Sequence, residues 1–169
     1  SISTIHILPF FPSSSDDGFA VIDYRTVRRD LGDWSDINAL SADFDLMFDL
    51  VINHCSRENL WFADFVGGRE PGCDYFHEMP SMVGLESVVR PRNSPLLTHV
   101  HTYQGIKRVW TTFSDDQIDL NFANPEVLCE FVHILFSYIA QGARFIRLDA
   151  IAFLWKELST SSINLEQTH

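Results

Sequence analysis

An arginine and an aspartate stand two residues apart in Gly142-Ala143-Arg144-Phe145-Ile146-Arg147-Leu148-Asp149-Ala150. Glycine ends helices, and the short apolar run behind it reads as a strand. Alternate side chains of a strand share a face, so Phe145, Arg147 and Asp149 point one way. Ile146, Leu148 and Ala150 point the other way. Side chains at i and i+2 lie roughly 7 Å apart, close enough for a guanidinium to favour an ionised carboxylate. A carboxylate held charged at the C-terminal end of a strand has the chemistry of a nucleophile. The same spacing also makes a plain ion pair, since structural charge networks perturb acidities too.

Three other stretches carry chemistry. In Asp16-Asp17-Gly18-Phe19 an acid and a ring stand side by side. They suit a sugar, with the carboxylate on hydroxyls and the ring under the pyranose. They equally suit a capped turn with a buried phenylalanine. The run Asp49-Leu50-Val51-Ile52-Asn53-His54 ends an apolar strand in two polar residues. His54 is either a binding group or a satisfied core histidine. Arg90, Arg92, Lys107 and Arg108 gather four of the twelve basic residues in one region, with His99 and His101 nearby. They form either an anion pocket or a solvated face.

The elements that must position these groups alternate. Thr4 to Leu8 is a β-rich run stopped by Pro9, and the Pro-, Ser- and Asp-rich stretch after it is a loop. Ser35 caps a short helix from Asp36, with Ile37 and Leu40 on its inner face. Phe44 to Asn53 is a second strand, apolar enough to be covered on both faces. Residues 55 to about 124 show no strong period, yet hold Trp61, Phe62, Phe65, Tyr75, Phe76 and Trp110, too many aromatics for disorder.

Asn124-Pro125-Glu126 starts a helix, with a cap, a first-turn proline and a first-turn acid. Leu128, Phe131, Val132, Leu135, Phe136 and Ile139 give it one apolar face. Gly142 stops it, Arg144 to Asp149 is the third strand, and Leu154 to Leu158 opens a further helix. The order implies an α/β protein with parallel strands and right-handed crossovers. The polar groups gather behind strand ends, where barrels and open sheets both hold their sites.

Composition narrows the partners. The 169 residues carry a net charge of −11. That argues against nucleic acid and against an anionic membrane surface. Cys55, Cys73 and Cys129 are odd in number and irregularly spaced, which disfavours a disulfide framework or a zinc site. A reducing, cytoplasmic location is expected, with no cofactor and no metal. No stretch has the length of a membrane span, and the first residue, Ser1, leaves targeting open.

The chain resembles the α-amylase superfamily, glycoside hydrolase family 13, in its sucrose phosphorylase-like branch. Asp49 to His54 resembles the first conserved region. Gln117-Ile118-Asp119-Leu120-Asn121 is similar to the short region of the B subdomain. Arg147-Leu148-Asp149-Ala150 resembles the region that carries the nucleophile. Asp16 to Phe19, Arg90-Pro91-Arg92 and Arg108-Val109-Trp110 resemble the phosphorylase-like branch.

The resemblance implies a partial (β/α)8 TIM barrel with an inserted B subdomain. Residues 1–54 would hold barrel strands two and three. Residues 55–124 would be the B-subdomain-like insertion, and residues 125–169 helix three, strand four and the start of helix four. A complete barrel needs ~250 residues, so a fragment is expected. Two open sheet edges make aggregation of the isolated chain expected as well.

The resemblance also implies roles. Asp149 would be the nucleophile and Arg147 would hold it ionised. Asp16 and His54 would bind glucose hydroxyls, and Phe19 would pack on the ring. Phe113 and Gln117 would line the site near the departing group, and Arg92 would meet phosphate or the acceptor sugar. The acid/base glutamate has no counterpart in this chain, since Glu157 and Glu166 fall in the wrong elements.

Sucrose phosphorylases carry a tyrosine where this chain has Phe153, so glycerate, glycerol or a sugar phosphate becomes a plausible acceptor. The implied parent is a retaining α-glucosyl phosphorylase for sucrose or a related α-glucoside, with inorganic phosphate as co-substrate. The fragment itself is expected to be inactive. An α-glucoside hydrolase and a non-catalytic sugar-binding piece are the alternatives. A third has Asp49, Asn53, His54 and Asp149 as the metal ligands of an unrelated hydrolase.

Overall fold

The computed structural model describes residues 2–169. Strands β1 (Thr4–Ile7), β2 (Asp45–Val51) and β7 (Ala143–Asp149) form a parallel sheet in the order β1-β2-β7. The register pairs His6 with Met47, Asp49 with Arg147 and Val51 with Asp149. Paired residues of a parallel sheet share a face, so His6, Asp49, Arg147 and Asp149 line one side. The other side carries Leu46, Phe48 and Leu50, all buried. It packs on an aromatic cluster in which Phe10 meets Phe48 edge-on at 5.0 Å and Phe11 stacks on Tyr138 at 4.9 Å.

Helix α1 (Trp34–Ser41) precedes β2. Its cap is Asp33 and not Ser35. Asp33 Oδ1 accepts from the Ser35 amide at 2.7 Å, and Asp36 accepts from the Asp33 amide at 2.9 Å. This reciprocal box satisfies two orphan donors at once, which a serine cap two residues later would not. Ile37 is buried as expected, whereas Leu40 is 40% exposed.

Helix α3 (Pro125–Ala140) starts where expected, with Asn124 Oδ1 accepting from the Glu126 amide at 3.0 Å. Its buried face is shifted from the expected one: Phe131 is buried and Leu135 packs partly against the core as expected, but the other four expected residues face out. Val127, Phe131, Ile134 and Tyr138 turn inward, while Leu128, Val132, Phe136 and Ile139 are exposed. The helix carries two apolar stripes, and Tyr138 decides between them. Its ring stacks on Phe11, and its hydroxyl donates to the Tyr24 carbonyl at 3.0 Å. An aromatic with a polar tip is a better core anchor than its hydropathy indicates.

The expected helix over Leu154–Leu158 does not form. A single 3₁₀ turn, Ile151–Phe153, is followed by irregular chain. Lys156 is drawn inward to Asp119, and Ser159 sits at φ 63°, which interrupts any helix.

Residues 55–124 fold around their aromatics. Strand β3 (His54–Ser56) runs antiparallel to β6 (Gln117–Asp119), and β4 (Leu97–Thr102) pairs with β5 (Gly105–Trp110) as a hairpin. Helix α2 (Leu60–Gly67) brings Phe62 and Phe65 against Phe76. Three-residue strands such as β3 and β6 show no sequence period, so this order was invisible in the residues alone.

Candidate active site

Behind the C-terminal ends of β2 and β7 lies a cleft of about 400 Å³. Asp16, Phe19, His54, Arg92, Phe113, Gln117 and Asp149 all line it, as do Asp17, Ala150 and Phe153. Of the eight residues to which the resemblance gave roles, Arg147 alone stands back from the wall.

Strand β7 delivers Asp149, and Ala150 then turns the chain through φ 52°. Arg147 Nη2 meets Asp149 Oδ1 at 3.1 Å, and its Nη1 donates to Asp49. Asp49 is fully buried and also bound by His6 Nε2 at 2.8 Å. One guanidinium therefore serves two carboxylates. Arg147 does favour the ionised form of Asp149, but it does not decide the net shift. Burial raises the Asp149 pKa above its ordinary value, Asp49 pushes it further, and His54 and Arg147 pull it back only in part. Arg147 spends its stronger hydrogen bond on Asp49.

The turn carrying Asp16 is held in an uncommon conformation. Asp16 and Asp17 sit at φ 54° and 52°. Together with Ala150 they place three left-handed, non-glycine residues on the wall of one cleft. Such backbone costs on the order of 1–3 kcal/mol per residue and persists only where its surroundings enforce it. Gly18 helps to enforce it: at φ 106°, a Cβ there would meet the Pro9 carbonyl oxygen at 2.6 Å. Ser14 Oγ donates to Asp116 at 2.6 Å, Ser15 donates to the same carboxylate, and Gln117 Nε2 donates to Asp16 Oδ2 at 2.9 Å. These bonds tie the turn to β6, a hundred residues away in sequence.

His54 is buried. Its Nδ1 faces the Asn53 amide nitrogen at 3.2 Å, and its Nε2 faces the Phe19 carbonyl at 3.0 Å. Nε2 also faces the Gln117 amide nitrogen at 3.1 Å, so the partners make opposite demands on the ring: both amides need an acceptor, and the Phe19 carbonyl needs a donor. Burial lowers the His54 pKa, with Asp119 and Asp149 opposing. The Phe113 ring lies 5.1 Å from the His54 ring and 5.4 Å edge-on from that of Phe153.

Lys156 was missed by sequence reading. Its side chain is 3% exposed. Nζ meets Asp119 Oδ2 at 2.8 Å and Asn53 Oδ1 at 2.7 Å, and it donates to the Phe153 carbonyl. Asp119 also accepts from the Thr112 amide at 2.9 Å, the Thr112 hydroxyl at 2.5 Å and Asn53 Nδ2 at 3.1 Å. This knot lies directly under His54 and Phe153. The one available signal was a lone cation in the apolar run Ile151 to Leu158.

The basic cluster does not converge on this cleft. Lys107 pairs with Glu78 at 2.6 Å, and His99 and His101 are exposed on the hairpin. Arg92 alone reaches the cleft, 4.0 Å from Asp16, with its side chain 59% exposed. The metal-site alternative does not assemble either, because Asp49 is taken by Arg147 and His6, and Asn53 by Lys156. Among the described residues, three or more ligand atoms of His, Cys, Asp or Glu lie within 4.8 Å of one another only at Glu70, Cys73 and Asp74. No helix of the described residues is long and apolar enough to cross a membrane.

This architecture, with its acid, histidine and arginine at the strand ends, has relatives. Residues 1–168 match the family described as "Alpha amylase, catalytic domain", and the chain belongs to that family. It is 52% identical over 165 residues to a glucosylglycerate phosphorylase of Spirochaeta thermophila, covering 98% of this chain and 28% of that protein. It is 32% identical to a sucrose phosphorylase of Streptococcus mutans, covering 98% of this chain and 37% of that one. Among solved structures, a sucrose 6F-phosphate phosphorylase from Thermoanaerobacter thermosaccharolyticum superposes with a TM-score of 0.88 at 31% identity, over 95% of this chain and 36% of that one. The chain thus spans well under half the length of these relatives.

Proposed function

We propose that this chain carries the donor-sugar site of a retaining α-glucosyl phosphorylase. The observation that carries the reading is one cleft holding Asp149, Asp16, His54 and Phe19, with Arg92 at its rim. Asp149 Oδ attacks the anomeric carbon and the bond to the leaving oxygen breaks, giving a glucosyl-enzyme. A phosphate oxygen then attacks the same carbon and displaces Asp149, giving α-glucose 1-phosphate. Asp16 and His54 hold glucose hydroxyls and Phe19 lies under the ring. Phe113 and Gln117 border the departing group. Residues 55–124 act as the B-subdomain-like insertion, with the β3–β6 ladder supplying His54 and Gln117.

A retaining site needs a second carboxyl about 5–5.5 Å from the nucleophile to protonate the leaving oxygen. The other carboxyls lining the cleft are Asp16 and Asp17. Asp16 is engaged by Gln117, and we assign the acid to sequence outside these 169 residues. The segment alone therefore turns over no substrate.

For the substrate we favour an α-glucoside of a small hydroxy acid such as glycerate over sucrose. Phe153 presents no hydroxyl, and Arg92 has no partner closer than 4.0 Å, leaving its fork free for a carboxylate. The relative at 52% identity acts on glucosylglycerate by its name. Inorganic phosphate is the co-substrate and a cytoplasmic setting fits both.

The test is phosphorolysis by the whole protein with glucosylglycerate, glucosylglycerol and sucrose in parallel, with mass spectrometry for a glucosyl adduct on Asp149. Glucosylglycerate is expected to give the highest kcat/KM. Release of glucose without phosphate would indicate the hydrolase. Sugar binding with no adduct would indicate a non-catalytic site.

A further inference from the structure

Arg90 and Arg92 flank Pro91 but serve different cavities. Arg92 lines the cleft, whereas Arg90 lines a larger cavity of about 700 Å³ built wholly from residues 82–108. Its floor is Leu85, Leu96 and Leu97, each buried and packed with Trp110 in a local core separate from the main one. Arg108 and His99 from the β4–β5 hairpin complete the cationic side, and Glu86 is the single carboxylate.

The charge balance at this cavity differs from that around most basic side chains of the molecule. Eight of the twelve basic side chains have a carboxylate within 4.0 Å: Arg25, Arg28, Arg69, Arg92, Lys107, Arg144, Arg147 and Lys156. Among the described residues the other four, Arg29, Arg57, Arg90 and Arg108, have none, although the chain carries twenty-three acids, and two of these four meet at this one cavity. Each spends an N–H on a carbonyl, Arg90 on Ser94 and Arg108 on Pro80. Those bonds anchor the guanidinium groups and leave their remaining donors unpaired. Two anchored forks without counterions, over an apolar floor, match an oxyanion carried on an apolar body. The volume lies within the usual range of small-molecule sites.

We propose that this cavity is a second ligand site, for a small organic anion. The head, a phosphate ester or a carboxylate, meets Arg90 and Arg108, and the body lies on Leu85, Leu96 and Leu97. Glu86 on the same wall disfavours a bare polyanion, so the head alone binds weakly.

Calorimetric titration of the whole protein tests the site, with phenyl phosphate, benzoate, inorganic phosphate and benzyl alcohol as probes. Arg92→Ala weakens anion binding in the cleft and leaves this cavity intact. In that background phenyl phosphate or benzoate is expected to bind at one site, more tightly than inorganic phosphate or benzyl alcohol. Tighter phenyl phosphate assigns a phosphate-ester site and tighter benzoate a carboxylate site. Adding Arg90→Ala and Arg108→Ala is expected to weaken binding at least about tenfold. If that variant fails to fold, Arg90→Lys with Arg108→Lys keeps the charges and removes the forks, and a several-fold loss is expected. No binding in the millimolar range overturns the proposal, as does binding indifferent to Arg90 and Arg108. Because binding is read without turnover, this result is independent of the glucoside reading.

Discussion

As the proposed nucleophile, Asp149 would have to be charged, in a place where burial resists charge. Its raised pKa sets the sign of a kinetic prediction. The nucleophile is lost as pH falls through that raised value. The acid limb of glucosyl-enzyme formation is therefore expected above the ordinary carboxylate pKa of about 4. A pH profile of the first half-reaction checks it. Arg147→Met removes a cation from both Asp49 and Asp149, so it is expected to move that limb further up. It also leaves the buried Asp49 with His6 as its remaining side-chain partner, so a loss of stability is expected as well.

Lys156 gives the second residue-scale prediction. Breaking one side of a buried pair leaves an uncompensated charge, so Lys156→Met is expected to destabilise by about 3–5 kcal/mol in denaturant titration. Lys156→Met combined with Asp119→Asn is expected to cost less than the sum of the two single changes.

His54 and His77 add an acid sensitivity. Desolvation lowers both, His77 to about 3, and the Lys156 charge presses on each. A histidine held neutral in the folded state contributes stability that is complete above its unfolded pKa of about 6.5. That contribution is lost as pH falls from there toward the folded value. Stability of the whole protein is therefore expected to decline below about pH 6.5, with a shallower slope in His77→Gln.

At the scale of elements, α3 separates what sequence shows from what packing decides. Its start was legible because capping is local: Asn124, Pro125 and Glu126 each act within one turn. Its buried face was not, because both stripes are apolar and only partners distant in sequence, Phe11 and Tyr24, choose between them. Phe131→Ala is expected to cost about 3–5 kcal/mol, whereas Phe136→Ala, at a position 62% exposed, is expected within about 0.5 kcal/mol of wild type. Chemical denaturation of the whole protein measures both. The missed Lys156 has the same origin. A lysine in an apolar run looks like the polar edge of a helix until Asp119, brought from β6, gives it a partner.

Across the whole molecule, seven of the eight residues singled out for chemistry share one cleft, although the chain between them was read only as a long aperiodic stretch. Strand ends are legible because polar residues interrupt apolar runs there. The β3–β6 ladder is not, because its pairing is long-range. Exposed Phe136, Ile139, Phe145 and Leu148 lie on α3 and β7, and β7 pairs on one edge only. The 169-residue chain by itself is therefore expected to self-associate, and analytical ultracentrifugation showing a clean monomer with a sharp reversible melt would count against this.

The amide of Gln117 rests on Asp16 Oδ2. A sugar held there as proposed would have to compete for that oxygen with a tenant from within the protein. Recognition at this corner is then an exchange of near-equal bonds, and tightness must come from the ring face and the far end of the molecule. Such a seat keeps its shape when vacant and lets product depart without leaving a naked acid behind.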